Sequence, residues 1–421
     1  MSSQSDDPAR FRGLDALIDR ADVVVIGSGG LGASTAFYLM TRGAVHVALL
    51  DRQEIESQTS PRAAGMAARV RSSDLMADLM SSASAKLKRF TQDTGEPLAW
   101  TQCGSLKVAR RPRDALVLEA ELDRAVRLGL DARLISPEEA HRLNPFLEPA
   151  GVVAVLWVGE DLYFDPVQVA VGFARGAEAR GASILAHTTV TGVKIIDGQV
   201  TGVDTDRGPI RTPVVVDAAG AWTRQVAAMT GIRVPLVPTR HQLFITEPLH
   251  GVRADLPMIR IMDAGVYVRP CEGGLLWGVF EEDPSQFDMD ALDGQFQIAD
   301  LHLDPDVLWR AAEGVAQQLP ALRAAGVREH RGGLPTMTAD GQHIVGPAPG
   351  AEGFFVAGGC NAAGLSISPA IGDAIAAWII EGAPPLDLTA LSPERFRSDT
   401  PSEHQLRENA LWQYRHFYGS V

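Results

Sequence analysis

Gly27, Gly29 and Gly32 stand at the spacing G-x-G-x-x-G in residues 25–32. A β-branched run precedes them at residues 22–26, and a helical stretch follows at 30–42. In that context the three glycines build a cradle for a dinucleotide pyrophosphate. Gly27 permits the tight turn, Gly29 lets backbone approach phosphate, and Gly32 lets strand and helix pack closely. Gly30 and Leu31 fall in the first helical turn, where free N–H groups and the helix dipole attract anions. Asp51 closes the next apolar run, at the distance where an acid binds a ribose hydroxyl and disfavours a 2′-phosphate. Arg52 follows it in the candidate cofactor set. The motif alone does not separate a flavin from a nicotinamide dinucleotide.

The strand, glycine turn, helix and second strand (residues 45–50) form a βαβ unit. Further helices are expected over residues 75–90 and 112–128, from the Ser136–Glu139 capping box, over 165–181 and over 304–319. Residues 190–196 and 200–204 flank Asp197-Gly198, a hairpin signal. Residues 240–246, 266–269 and 275–280 read as strands of a second, more antiparallel sheet.

With 421 residues the chain exceeds what one hydrophobic core usually spans. A formal net charge of −14 argues against holding nucleic acid or an anionic membrane surface by bulk charge. Cys103, Cys271 and Cys360 lie far apart, neither a disulfide framework nor a metal set, and suit a reducing cytoplasm. The first residues lack the apolar core of a signal peptide, and no apolar run is read as long enough to span a bilayer.

A second set of motifs lies downstream. It comprises Val216-Asp217-Ala218-Ala219-Gly220-Ala221-Trp222, then Arg331-Gly332-Gly333-Leu334-Pro335-Thr336, then residues 354–366 ending Gly358-Gly359-Cys360-Asn361-Ala362-Ala363-Gly364-Leu365-Ser366. Together these resemble the D-amino-acid oxidase superfamily of FAD enzymes. The nearest branch holds the sarcosine oxidases and the flavin domains of dimethylglycine and sarcosine dehydrogenases. The resemblance covers about residues 20–395.

The resemblance implies an α/β, two-domain (α+β) fold, a Rossmann-type FAD-binding domain interleaved with an antiparallel-sheet substrate domain. Residues 16–85, 148–236 and 325–395 are assigned to the FAD domain, and 86–147 and 237–324 to the substrate domain. Residues 1–15 form an N-terminal extension and 396–421 a C-terminal tail. Besides the residues above, Ser60, Arg62, Ala64, Gly65, Val190, Ala219, Gly220, Trp222, Leu334, Gly359, Asn361, Gly364, Leu365 and Ser366 are candidate FAD contacts. A helix N-terminus near residues 364–366 would stabilise negative charge on the reduced flavin.

Four positions depart from the resembled pattern. Arg62 occupies the place of a histidine that anchors flavin covalently, so FAD is expected to be non-covalent. Pro335 replaces an arginine that clamps a substrate carboxylate. Leu276 replaces an oxygen-activating lysine, which favours a dehydrogenase over a fast oxidase. The covalent cysteine of sarcosine oxidases does not align with Cys360.

Tyr267 and Arg269 lie two apart on a strand and so share a face. Arg269 is either a substitute carboxylate clamp or a surface arginine. His241 is either a base or a hydrogen-bonded structural residue. Glu281 and Glu282 either attract a cationic amine or are solvated. Tyr267, Arg269 and His241 make up the catalytic set.

The resemblance implies hydride transfer to flavin N5 from a secondary or N-methylated amino acid or a related amine. Alternatives are a 2-hydroxy-acid dehydrogenase, a NAD-dependent dehydrogenase, and the flavin subunit of a heteromeric enzyme. The partner is then a small molecule, with an unassigned electron acceptor and a possible homo-oligomer or heteromeric assembly.

Overall fold

The computed structural model describes residues 11, 18–55, 57–71, 73–397 and 400–419. Most of the expected N-terminal extension lies outside them.

Val23–Ile26 is four apolar residues buried on both faces, a pattern that suits the middle of a parallel sheet. It pairs in parallel with Val47–Leu50 on one side and Val214–Asp217 on the other. Ser183–Leu185 and Phe354–Gly358 extend this sheet in parallel, and Ile344–Pro347 closes one edge antiparallel. The helices Gly30–Thr41, Pro166–Glu178 and Gly364–Glu381 share one core cluster with Val23 and Val25. Val24 and Ile26 enter a second cluster on the other face, as strand alternation demands.

The second sheet has eight strands. In order they are Val327–Gly333, His241–Thr246, Gly274–Val279, Val266–Cys271, Met258–Ile261, Ser105–Ala109, Ala154–Val158 and Ala132–Ile135. All pairs are antiparallel except Met258–Ile261 with Ser105–Ala109. It is therefore larger than the three strands read from sequence. Ala154–Val158 and Val327–Gly333 fall in stretches assigned to the FAD domain, yet both pair into this sheet. The chain crosses between the two sheets more often than its composition announces.

One expectation gains detail and another is corrected. The tail contains a helix, Glu403–Arg415, started by a capping box of Ser402 and Gln405. Its Leu406, Ala410 and Tyr414 pack into the core cluster that includes Tyr267 and Leu276. Gly364–Glu381 is long and apolar enough to cross a membrane, although 67% of it is buried inside the protein. Its apolarity is that of a central helix wedged between the parallel sheet and its neighbours.

Candidate active site

The glycine turn has no room for side chains. A Cβ on Gly32 would sit 1.8 Å from the Gly27 carbonyl oxygen, and one on Gly27 would sit 2.5 Å from that of Ala218. Gly27 has φ +98°, a region that strongly favours glycine. Asp51 Oδ2 accepts hydrogen bonds from the Ser28 amide (2.8 Å) and hydroxyl (2.6 Å), while Oδ1 accepts from Gln53 N at 2.9 Å. Burial raises its pKa, and these donors oppose the rise. The Gly30 amide donates to Ser60 Oγ at 3.0 Å, so this loop serine already touches the anion-binding turn.

One cavity of about 600 Å³ runs from this turn to the eight-stranded sheet. Gly27, Gly29, Gly30, Leu31, Asp51, Arg52, Ser60, Arg62, Ala64, Gly65 and Val190 line it. So do Ala219, Gly220, Trp222, Leu334, Gly364, Leu365 and Ser366.

Gly32, Gly359 and Asn361 stand outside the lining. Gly32 is used where helix meets strand, and Gly359 fits against Thr338 and Ile344. Asn361, at φ +42°, accepts the Thr338 amide at 3.0 Å and donates to the Gly359 carbonyl at 2.7 Å. It holds the turn that delivers Ala363 and Gly364 to the cavity.

The donor set suits an anionic dinucleotide. Helix Gly364–Glu381 begins with no side-chain cap, so its first amides are unspent. Arg52 stacks over Trp222 at 4.4 Å and donates to the Phe296 carbonyl at 2.9 Å. The Nε atoms of Arg52 and Arg62 are buried without hydrogen-bond partners among the described residues, and burial lowers both pKa values. Bound anionic phosphate would relieve this strain. The other half of the lining is apolar backbone and alkyl surface, as a flavin ring requires.

The far end of the cavity carries a different set. His241 Nε2 lies 2.8 Å from the Tyr267 hydroxyl, and Nδ1 lies 2.7 Å from the Tyr414 hydroxyl. Burial pushes His241 down to about 4 and Tyr267 well up, so both are neutral near pH 7. His241 therefore sits in a hydrogen-bonded row with the two phenols, while its ring also faces the cavity.

Arg269 lies outside the lining. Its Nε donates to the Ala64 carbonyl at 2.5 Å and Nη1 to that of Pro270 at 2.7 Å. Its guanidinium stacks on Tyr163 at 4.9 Å. The residue ties its strand to the 60–65 loop, which leaves little for a substrate carboxylate. Glu281 is likewise engaged: it pairs with Arg240 at 3.0 Å, both buried.

Sequence reasoning missed Arg71, Arg260, Phe417 and Tyr418, all of which line the cavity. Arg260 is neutralised by Asp161 at 3.0 Å and bonded to Ser105 Oγ at 2.6 Å. Arg71 makes no side-chain hydrogen bond or ion pair among the described residues, and burial lowers it to about 10, with Arg260 adding repulsion. Two signals were available. Arg260 interrupts the apolar strand Met-Ile-Arg-Ile, and the tail crowds Trp412, Tyr414, Phe417 and Tyr418 into a chain that is 6% aromatic.

This arrangement can hold an anion at Arg71, orient a polar group at Tyr267, and exclude water with Leu243, Phe280 and Phe417.

Comparisons with known proteins bear on the family and the fold. The chain is 32% identical to human mitochondrial sarcosine dehydrogenase over 93% of its length, spanning 42% of that enzyme. Against the sarcosine oxidase subunit beta of Rhizobium meliloti (strain 1021) it is 30% identical, with 89% of this chain and 88% of that one covered. The structure of L-proline dehydrogenase from P. horikoshii superposes with a TM-score of 0.82 at 26% identity, covering 91% of this chain and 99% of that one. The chain spans under half the length of the mitochondrial relatives it matches. Residues 22–378 match the model of the DAO family, FAD dependent oxidoreductase. The fold, the cradle and this match together make the chain a member of the DAO family of FAD-dependent oxidoreductases.

Proposed function

We propose that this enzyme oxidises the C–N bond of a secondary or N-methylated amino acid. The observation that carries the reading is Arg71, which makes no side-chain hydrogen bond or ion pair among the described residues and lines the same cavity as neutral Tyr267 and His241. A substrate carboxylate would satisfy Arg71 bidentately. The neutral phenol and imidazole would accept or donate to the amine without adding like charge.

Bound FAD supplies the acceptor for a hydride from the substrate C–H bond. The carbon left behind is an iminium, which water hydrolyses to an aldehyde and the shortened amine. The protein's share is orientation: a fixed cation at one end, an aromatic wall, and no charged acid–base pair in reach. The similarity to sarcosine dehydrogenases supports the N-methyl class.

Anaerobic bleaching of the flavin by a panel of N-methyl amino acids, cyclic imino acids and 2-hydroxy acids tests this. N-methyl or cyclic amino acids should bleach it. Bleaching by hydroxy acids alone would overturn the reading. A second reading, the flavin subunit of a heteromeric enzyme, is favoured by the likeness to a sarcosine oxidase subunit beta across most of both chains. It forecasts no bleaching until a partner subunit is added.

A further inference from the structure

The C-terminal helix docks on the strand end that follows Gly274–Val279. Arg415 Nε donates to the Glu282 carbonyl, Tyr414 packs on Phe280 at 5.1 Å, and Phe417 stacks on Phe280 at 4.2 Å. That docking places the Tyr414 hydroxyl against His241 Nδ1, with Tyr267 on the opposite nitrogen. Tyr414 is fully buried, and among the described residues its hydroxyl has no hydrogen-bond acceptor other than His241.

A neutral imidazole has one N–H and one lone pair, so one phenol donates to it and the other accepts. If Tyr267 donated to Nε2, Nδ1–H would donate to Tyr414. The Tyr414 hydrogen would then be stranded in the core, which buried hydroxyls avoid. The opposite arrangement satisfies every group. Tyr414 donates to Nδ1, Nε2–H donates to the Tyr267 oxygen, and the Tyr267 hydrogen is free to turn into the cavity it lines.

We propose that Tyr414 is a positioning residue that fixes the Nε2–H tautomer of His241 and so makes Tyr267 a hydrogen-bond donor toward the substrate. The role of the donor rests on the amino-acid reading above: beside Arg71 it would give the carboxylate, an acceptor-only group, its second anchor. Tyr418 lines the same cavity as Tyr267 and Arg71. A substrate group with only donors, such as a simple alkylammonium, would meet the wrong end of the phenol.

The tautomer is read directly by NMR of ring nitrogens in ¹⁵N-histidine-labelled holoenzyme, without substrate. Wild type and Tyr267→Phe should both show His241 protonated at Nε2. Tyr414→Phe should lose that preference. It should also raise KM for an N-methyl amino acid roughly tenfold with a smaller change in kcat, the scale of one hydrogen bond to a charged group. An Nδ1–H form in the wild type overturns the proposal. So does a tautomer that switches in Tyr267→Phe, or one that stays put in Tyr414→Phe. If Tyr414→Phe does not fold, the other two spectra still decide. If no amine bleaches the flavin while the tautomer behaves as stated, the substrate reading fails and the positioning role stands.

Discussion

Arg71 and Arg260 line one cavity, but among the described residues only Arg260 is ion-paired, to Asp161 at 3.0 Å, while Asp161 and Glu121 act on Arg71 from longer range. Burial makes the Arg71 charge costly in the free protein, and an anion in direct contact would offset that cost. Arg71→Ala should raise KM for a carboxylate-bearing amine roughly 100-fold, about 3 kcal/mol. Arg71→Lys should recover only part, because an ammonium lacks the planar fork. Steady-state kinetics with FAD content held equal checks this, and an unchanged KM in Arg71→Ala would sink it.

The glycine turn makes a sterically sharp forecast. Gly32→Ala places a methyl 1.8 Å from the Gly27 carbonyl oxygen, so strand and helix must separate. The variant should purify with little or no flavin absorbance. Asp51→Ala keeps the turn's shape but frees the Ser28 amide, and FAD affinity should fall roughly tenfold. Titration of apoprotein with FAD measures both.

Arg62 lines the cavity where the resembled dehydrogenases have a histidine. A guanidinium forms no stable bond to the flavin ring. Acid precipitation should leave the flavin in the supernatant, free of protein. A yellow pellet after washing would show a covalent link.

Leu276 is fully buried in the sheet and packs in the cluster that holds Tyr267 and Tyr414. No ammonium stands there to attract superoxide as it forms. Reduced enzyme should therefore pass electrons to an artificial quinone or dye much faster than to oxygen. Stopped-flow mixing with air-saturated buffer is the comparison, and rapid peroxide release would contradict it.

Two histidines make acid destabilising. Burial pushes His241 down to about 4 and His343 down to about 3, and among the described residues both ring nitrogens of His343 lack hydrogen-bond partners. Unfolded histidines titrate near 6.5. Above about pH 6.5 neither state binds these protons, and stability is flat with respect to them. As pH falls from about 6.5 toward 4 the unfolded chain takes up protons that the folded one refuses, so stability is lost across that window. Denaturant midpoints at several pH values should show the slope, and His343→Gln should make it shallower.

The glycine cradle and the parallel sheet were legible because local rules dictate them. Residues 23–32 carry their strand, turn and helix signals within one short stretch. The substrate end was not legible, because its members meet only through long-range pairing. Arg71, Arg260 and Tyr418 come from a loop, a sheet strand and the tail, and nothing in local spacing joins them. Arg269 misled for a related reason. Its place two residues from Tyr267 was read correctly, but the 60–65 loop lies over it, and the Ala64 carbonyl takes its Nε. The eight-stranded sheet was under-read where strands are short and interrupted by charge, as at Ser105–Ala109, where buried Lys107 is paired with Glu121 at 2.6 Å.

The helix Glu403–Arg415 also bears on how the enzyme comes into being. The cavity wall runs in chain order from Ile26 to Phe417 and Tyr418. A nascent chain can form the βαβ cradle early, yet the substrate chamber stays roofless and the phenol row lacks Tyr414 until the final turns of helix emerge. A chain cut before Ser402 should therefore keep the cradle while lacking the Tyr414 end of the phenol row.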